Sequence, residues 1–516
     1  MKSEFIAEMQ SGYNFKGKSI QLGCGILNNE VCADAAVNIP LKTLNRHGLI
    51  AGATGTGKTK TLQVLAEQLS ENGIPVLMMD IKGDLSGIAK AGKSNAIIEE
   101  RHQKMNLPIQ FRGMPVELMT ISHQKGVKLR ATVSEFGPVL FSKILGLNDT
   151  QSSVMAILFK YCDDKQLPLL DLADVKKVLR FAGNEGKQEF TEHYGQISPA
   201  SISTILRNIL ELEQQGAEMF FGEPSFEVDD LCQLNSTGKG FINIIRLTDI
   251  QDKPKLFSTF MLCLLAEIYA EFPEQGDAEK PKLVIFIDEA HLIFNESSKA
   301  LLSQIEAIIK LIRSKGVGIF FCTQNPIDIP NAVLGQLGLK IQHALRAFTA
   351  VDRKAIKSAS ENYPESKFYQ TDKIITELVI GEALVTALNE KGIPTPLVAT
   401  MLRAPMSRMD ILNDDEIAEL LEASALAEKY NVSINRKSAE EILSAKIVAS
   451  QNIEVQSELK SQQKKAAETM KNDPSILEEL SKNTMVRQIG NTILRELTRG
   501  LLGVLGFNNS KTRKRK

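Results

Sequence analysis

Between residues 46 and 125, unbroken apolar runs alternate with stretches whose apolar residues recur every three or four positions. The runs GLIAG, IPVLMMD and VELMTIS predict strands buried on both faces. Between the first two, Leu62, Leu65, Ala66 and Leu69 fall on one face of a helix, and Gly73 supplies its stop. This alternation predicts an α/β fold, a mostly parallel sheet with helices on both faces. From 130 to 238 the period becomes helical throughout, in PVLFSKILGL, SSVMAILFKYCDD, LADVKKVLRFAG and SPASISTILRNILELEQQG, which predicts a helical insertion. Strand runs resume at GFINIIRLT, KLVIFID, GVGIFFCTQ, KIQHALRAF, EALVTAL and TPLVATML. The longest apolar stretch, 256–272, is too short to span a bilayer and carries Glu267, so it predicts a buried core helix.

The flanks differ. Residues 1–45, short apolar runs broken by turn residues, predict a small β-rich N-terminal cap before a core over 46–405. Beyond Pro405, Asn413 with Glu416 and Ser438 with Glu441 have capping-box spacing, so 406–450 reads as a helical extension. Within 451–516, Lys, Glu, Gln and Ser dominate 451–483, a linker or exposed helix. Val486, Ile489, Ile493, Leu497, Leu501 and Val504 then form one stripe opposite Arg495 and Arg499. That amphipathic helix is expected to pack on protein, and the closing KTRKRK to be a solvated basic tail.

A net charge of −1 excludes a global basic field, so any nucleic-acid contact must come from a local patch. The six cysteines include no C-x-x-C pair, which argues against a zinc site and a disulfide framework. MKSEFIAEMQ lacks a signal-peptide apolar region, so the expectation is a cytoplasmic protein without a membrane partner.

The chemistry sits at strand ends. After GLIAG comes GATGTGKT, and Gly52-x-x-x-x-Gly57-Lys58-Thr59 between a strand and a helix is the phosphate-binding P-loop pattern. Gly52, Ala53, Thr54, Gly55, Thr56, Gly57, Lys58, Thr59 and Lys60 are the expected nucleotide-binding residues. Lys58 would reach the β- and γ-phosphates, and the Thr59 hydroxyl would bind Mg²⁺. In KLVIFIDEAHLIF, Asp288 and Glu289 follow a doubly buried run, where open α/β sheets place ligands. Asp288 would hold Mg²⁺ and Glu289 would act as general base on water. Gln324, ending GVGIFFCTQNP, is placed to sense the γ-phosphate.

Two competing readings fail. DIKG and DLSG at 80–87 loosely match a GTPase D-x-x-G, but no N-K-x-D base-reading motif occurs. DEAH at 288–291 spells a helicase box, but its S-A-T and arginine motifs are missing. The whole pattern resembles the HerA/FtsK group of hexameric DNA motors, nearest to a HerA-like bacterial branch. GATGTGKT, MMDIKGDLSG, IFIDEAH, FFCTQNP and GQLGLKIQHALRAF carry this resemblance, which spans roughly 46–400. It implies a RecA-like core, ATP with Mg²⁺, a homo-hexameric ring, and work on double-stranded DNA. A nuclease partner is not implied, since only a short segment precedes the core. The alternative is a P-loop ATPase that acts on protein cargo or in a defence or scaffold complex. A ring also implies a trans-acting arginine at the subunit interface. Arg346 in HALRAF is the first candidate and Arg313 in LIRSKG the second.

Overall fold

The computed structural model describes residues 1–472, apart from residues 277, 296–298, 348, 433 and 435. One sheet organises the chain. Its strands are β1 (Ser19–Leu27), β2 (Glu30–Pro40), β3 (Gly48–Ala51), β4 (Val76–Asp80), β5 (Val116–Thr120), β6 (Val127–Lys128), β7 (Ile242–Arg246), β8 (Leu283–Ile287), β9 (Val317–Thr323), β10 (Leu339–Gln342), β11 (Glu382–Thr386) and β12 (Val398–Leu402). The order is β2-β1-β12-β11-β10-β3-β9-β8-β4-β7-β5-β6. From β10 to β6 every neighbouring pair is parallel. β11, β12, β1 and β2 extend the sheet by antiparallel pairing.

Successive side chains of a strand point to opposite faces. Val284 and Phe286 of β8 join a core with Leu62, Leu65 and Leu69 of the helix Lys58–Glu71. Ile285 and Ile287, on the other face, are buried as well. Both faces are covered, which is why the sequence shows unbroken runs rather than alternation.

The first residues build onto the same sheet. Gly23, Cys24 and Gly25 of β1 lie opposite Leu402, Met401 and Thr400 of β12. A helix, Lys2–Gly12, precedes them and buries Phe5 and Met9. The Phe5 ring packs edge-on against Phe368, centroids 5.1 Å apart.

The segment between β6 and β7 is helical, with helices at Val133–Ile144, Asp149–Asp164, Leu172–Gly183, Lys187–His193 and Pro199–Gln214. Capping boxes at Asn148 with Gln151 and at Asp171 with Asp174 fix two of their starts. Asn413 with Glu416 caps the helix Asp414–Glu422 in the same way. Ser438 N–H donates to Glu441 at 2.9 Å where the helix Ala439–Asn472 begins. Among the described residues, those from Leu443 onward form a second unit. The stripe at 486–507 and the basic tail lie outside the described residues. No helix among the described residues is long and apolar enough to cross a membrane.

The apolar stretch at 256–272 falls, up to its last residue Phe272, in the helix Pro254–Glu271, buried along most of its length. Half-buried Glu267 on that helix has its pKa raised to about 7, by burial first and then by Glu135 and Glu271. The folded state therefore holds this proton after the unfolded chain has lost it. Stability falls as pH rises from the ordinary carboxyl range towards 7, then levels off. Glu267→Gln is expected to raise the melting temperature at pH 8 relative to the parent, with a smaller gain at pH 5. An equal gain at both pH values would show that ionisation is not the cause.

Candidate functional site

β3 delivers the chain to the glycine-rich loop at the C-terminal edge of the parallel strands, and the helix Lys58–Glu71 leaves it. Gly52 N–H donates to Thr323 O (3.3 Å) and Ala53 N–H to Ala344 O (2.8 Å), pinning the loop to the ends of β9 and β10. Gly52 has φ +152, and a Cβ there would lie 2.5 Å from His343 Cβ. Gly57, the residue before the helix, has φ +107. Both positions therefore require glycine. The amides of Thr54, Gly55 and Gly57 find no acceptor among the described residues. With the open first turn of the helix they make a concave set of donors suited to phosphate oxygens.

Lys58 opens the helix and turns its side chain back to the loop, its Nζ donating to Gly52 O (2.7 Å) and Ala53 O (3.1 Å). Burial pushes its pKa below the ordinary lysine value, while Cys322, Glu289 and Asp288 pull it back up. Thr59 stands in the helix's first turn. Lys60 turns to Met409 O at 2.6 Å.

β9 lies between β3 and β8, so the tips of these three strands share one edge. Asp288 and Glu289 follow β8 directly and are 2% and 6% exposed. Gln324 follows β9 and accepts from Thr54 Oγ1 at 3.3 Å. The P-loop, the acidic pair and Gln324 thus converge on one site. Glu289 holds φ +47, a backbone conformation that is costly for a side-chain-bearing residue and that clusters at functional sites.

The acids fit a divalent cation shared with phosphate. Asp288 Oδ2 and Glu289 Oε2 are buried without hydrogen-bond partners among the described residues. His291 Nδ1 stands 3.2 Å from Glu289 Oε2 but out of hydrogen-bond alignment. Burial raises the Asp288 pKa, and Lys82 opposes that rise. Unpartnered buried carboxylate oxygens are costly unless a cation completes them. The described residues hold no cluster of three or more His, Cys, Asp or Glu that could bind a metal alone. One carboxylate and one hydroxyl joined by phosphate oxygens is the donor set Mg²⁺ accepts.

Three residues here were not singled out from the sequence. Lys82 Nζ pairs with Glu289 Oε1 and lies 3.9 Å from Asp288 Oδ2. Buried Asp80, ending β4, accepts from the amides of Gly83 (2.7 Å), Asp84 (3.2 Å) and Leu85 (3.3 Å). Its pKa rises to about 7, through burial first and then Asp84. His343 lies beneath the loop, its Nε2 2.9 Å from Thr61 Oγ1. Burial drives its pKa down to about 4, so it is neutral at pH 7. The signal for Asp80 and Lys82 was an acid at a strand end before a turn glycine, in DIKG.

The two candidate arginines lie apart from each other. Arg346 follows β10 and donates to Thr376 O (2.8 Å) and Leu378 O (3.3 Å). Arg313 precedes β9, at the opposite edge of the sheet from the P-loop. With Arg46, Lys310 and Glu390 it lines a cavity of about 470 Å³. Burial and Arg46 lower the Arg313 pKa below the ordinary arginine value. A second cavity, of about 200 Å³, adjoins the P-loop at Gly57 and Lys60. Ile97, Ile380, Pro405 and Met409 give it an apolar lining.

Residues 27–511 match the family described as Helicase HerA-like C-terminal. The chain is 24% identical over 420 residues to a probable helicase of Methanocaldococcus jannaschii, covering 74% of this chain and 70% of that protein. It is 22% identical over 384 residues to the DNA double-strand break repair helicase HerA of Saccharolobus solfataricus, covering 73% and 68%. The fold is similar to that of the bacterial conjugative coupling protein TrwBdeltaN70, with TM-score 0.53 and 14% identity over 79% of this chain and 95% of that one.

Proposed function

The chain belongs to the HerA-like helicase family, and from that premise we propose that it is a homo-hexameric motor that spends ATP to move double-stranded DNA. The observation that carries the ATPase reading is the convergence of Lys58, Thr59, Asp288, Glu289 and Gln324 on one edge of a parallel sheet. The P-loop amides and Lys58 bind the phosphates, and the apolar cavity beside Gly57 receives the base. Mg²⁺, held by Thr59 and Asp288, would supply charge neutralisation at the phosphates. Glu289 takes the proton from the attacking water, and Gln324 senses the γ-phosphate.

Arginine from a neighbouring subunit completes the site in this reading. A ring's interface joins two different surfaces of the same chain, so a trans-acting group stands away from its own P-loop. Arg313 meets that condition, and among the described residues neither its guanidinium nor that of Arg46, beside it in the same cavity, has an ion-pair or hydrogen-bond partner. Arg346 spends its guanidinium on two carbonyls of its own chain. We therefore place Arg313 ahead of Arg346.

The name of a related protein, the DNA double-strand break repair helicase of Saccharolobus solfataricus, supports DNA as the substrate. Duplex DNA is expected to stimulate ATP hydrolysis, and its binding to weaken steeply as salt rises. ATPase rates with and without duplex DNA, together with binding across a salt series, check this. Hydrolysis indifferent to DNA, with no salt-sensitive binding, would overturn the DNA reading and leave an ATPase for protein cargo or for a scaffold complex. Mass measurement with nucleotide bound tests the six-fold ring.

A further inference from the structure

The acidic pair carries a cation of its own. Lys82 reaches it from the turn after β4, a strand remote in sequence from β8 but hydrogen-bonded to it in the sheet. Its Nζ pairs with Glu289 Oε1 and stands 3.9 Å from Asp288 Oδ2. The side chain is 36% exposed, whereas both acids are nearly covered, so the ammonium approaches them from the open side of the site.

The segment that presents Lys82 is held from several directions. Asp80 accepts three amides from residues 83–85, just past the lysine. Gln251 Nε2 donates to Ile81 O at 2.7 Å. Gly83 turns at φ +78, where a Cβ would meet Thr248 Cγ2 at 2.7 Å. A flexible stem on a fixed base is thus aimed at the acids.

Lys82 also stands close enough to Lys58 to depress its pKa. Two ammonium groups repel across such a site unless shared anions lie between them. Asp288 and Glu289 supply part of that negative charge. The rest of the geometry concerns the base. A general base must hydrogen-bond the water that attacks the γ-phosphorus, so its carboxylate lies one water away from the γ-phosphate oxygens. An ammonium in contact with that carboxylate is within one rotamer change of the same oxygens.

Resting on the nucleotide reading above, we infer that Lys82 is a second lysine of the phosphate site, contacting the γ-phosphate and so making the site prefer ATP to ADP. Lys58 serves the phosphates from the β3 side and Lys82 the terminal one from the β4 side. A lysine suits this role because its compact charge and rotatable donors can be shared between Glu289 and phosphate oxygens.

Binding of a non-hydrolysable ATP analogue and of ADP, each with Mg²⁺, tests this on the full chain. Lys82→Ala is expected to weaken the analogue about tenfold, the scale of one charge-assisted hydrogen bond, with ADP affinity kept within about twofold. Lys82→Arg should retain much of the preference for the analogue. Lys82→Met, which keeps the stem, repeats the test should the alanine variant fail to fold. In a Glu289→Gln background the tenfold loss should persist, because the ammonium acts on phosphate and not through the base. Equal losses for both nucleotides, no loss for either, or disappearance of the effect in that background would overturn the inference. Parent protein that binds neither nucleotide would instead overturn the ATPase reading itself.

Discussion

Glu289→Gln is expected to lower the ATP turnover number by about 10²–10⁴, the usual contribution of a positioned general base, while ATP binding is retained. The substitution keeps the shape and one acceptor oxygen but removes the basicity. It follows a strand whose five residues are all buried, so the tip that carries residue 289 does not depend on the lost charge. The left-handed backbone of Glu289 is as available to glutamine as to glutamate, so the strain at this position is unchanged. The phosphate donors lie on a different segment, held by main-chain bonds to Thr323 and Ala344 that the change does not touch. Steady-state hydrolysis and analogue binding on the same preparation check both halves of the expectation. Undiminished hydrolysis would remove Glu289 from the base role. Lost binding would mean that the carboxylate shapes the pocket rather than the reaction.

Local order made much of this site legible in the sequence. The P-loop is eight consecutive residues whose strand and helix context can be read from apolar spacing. The run Leu283–Ile287 reads as buried on both faces, which places Asp288 and Glu289 at a strand tip. Every run read as a strand from residue 46 onward contains a strand of the sheet, though KIQHALRAF is strand only over its first three residues. What sequence spacing does not encode is which strands are neighbours. Lys82 and Glu289 meet because β4 pairs with β8, and roughly two hundred intervening residues give no hint of that register. The pairing of β1 with β12 is equally non-local. The helix Lys2–Gly12 escaped notice because only Phe5 and Met9 bury from it, too few for a periodic signal. His343 belongs to a short strand end and gains meaning only from the Gly52 backbone packed against it.

Arg313→Ala is expected to lower turnover by about 10³–10⁵ if it acts as the finger supplied in trans, with nucleotide affinity little changed. Arg346→Ala should cost far less, because the Arg346 guanidinium serves the carbonyls of Thr376 and Leu378. The decisive measurement mixes two inactive chains. Glu289→Gln subunits lack the base but still present Arg313, while Arg313→Ala subunits keep the base. Where the second kind receives the arginine of the first, a complete site forms at the interface. Differently tagged chains, shown to co-assemble by sequential purification, should therefore recover hydrolysis that neither shows alone. The seven residues of β9 separate Arg313 from the Gln324 end by roughly 20 Å, too far for an arginine to reach its own site. That span makes the outcome sharp. Recovery requires a neighbouring subunit, whereas co-assembly without recovery would remove Arg313 as the trans-acting group. A large loss in Arg346→Ala, with recovery in the matching mixture, would transfer the role to Arg346.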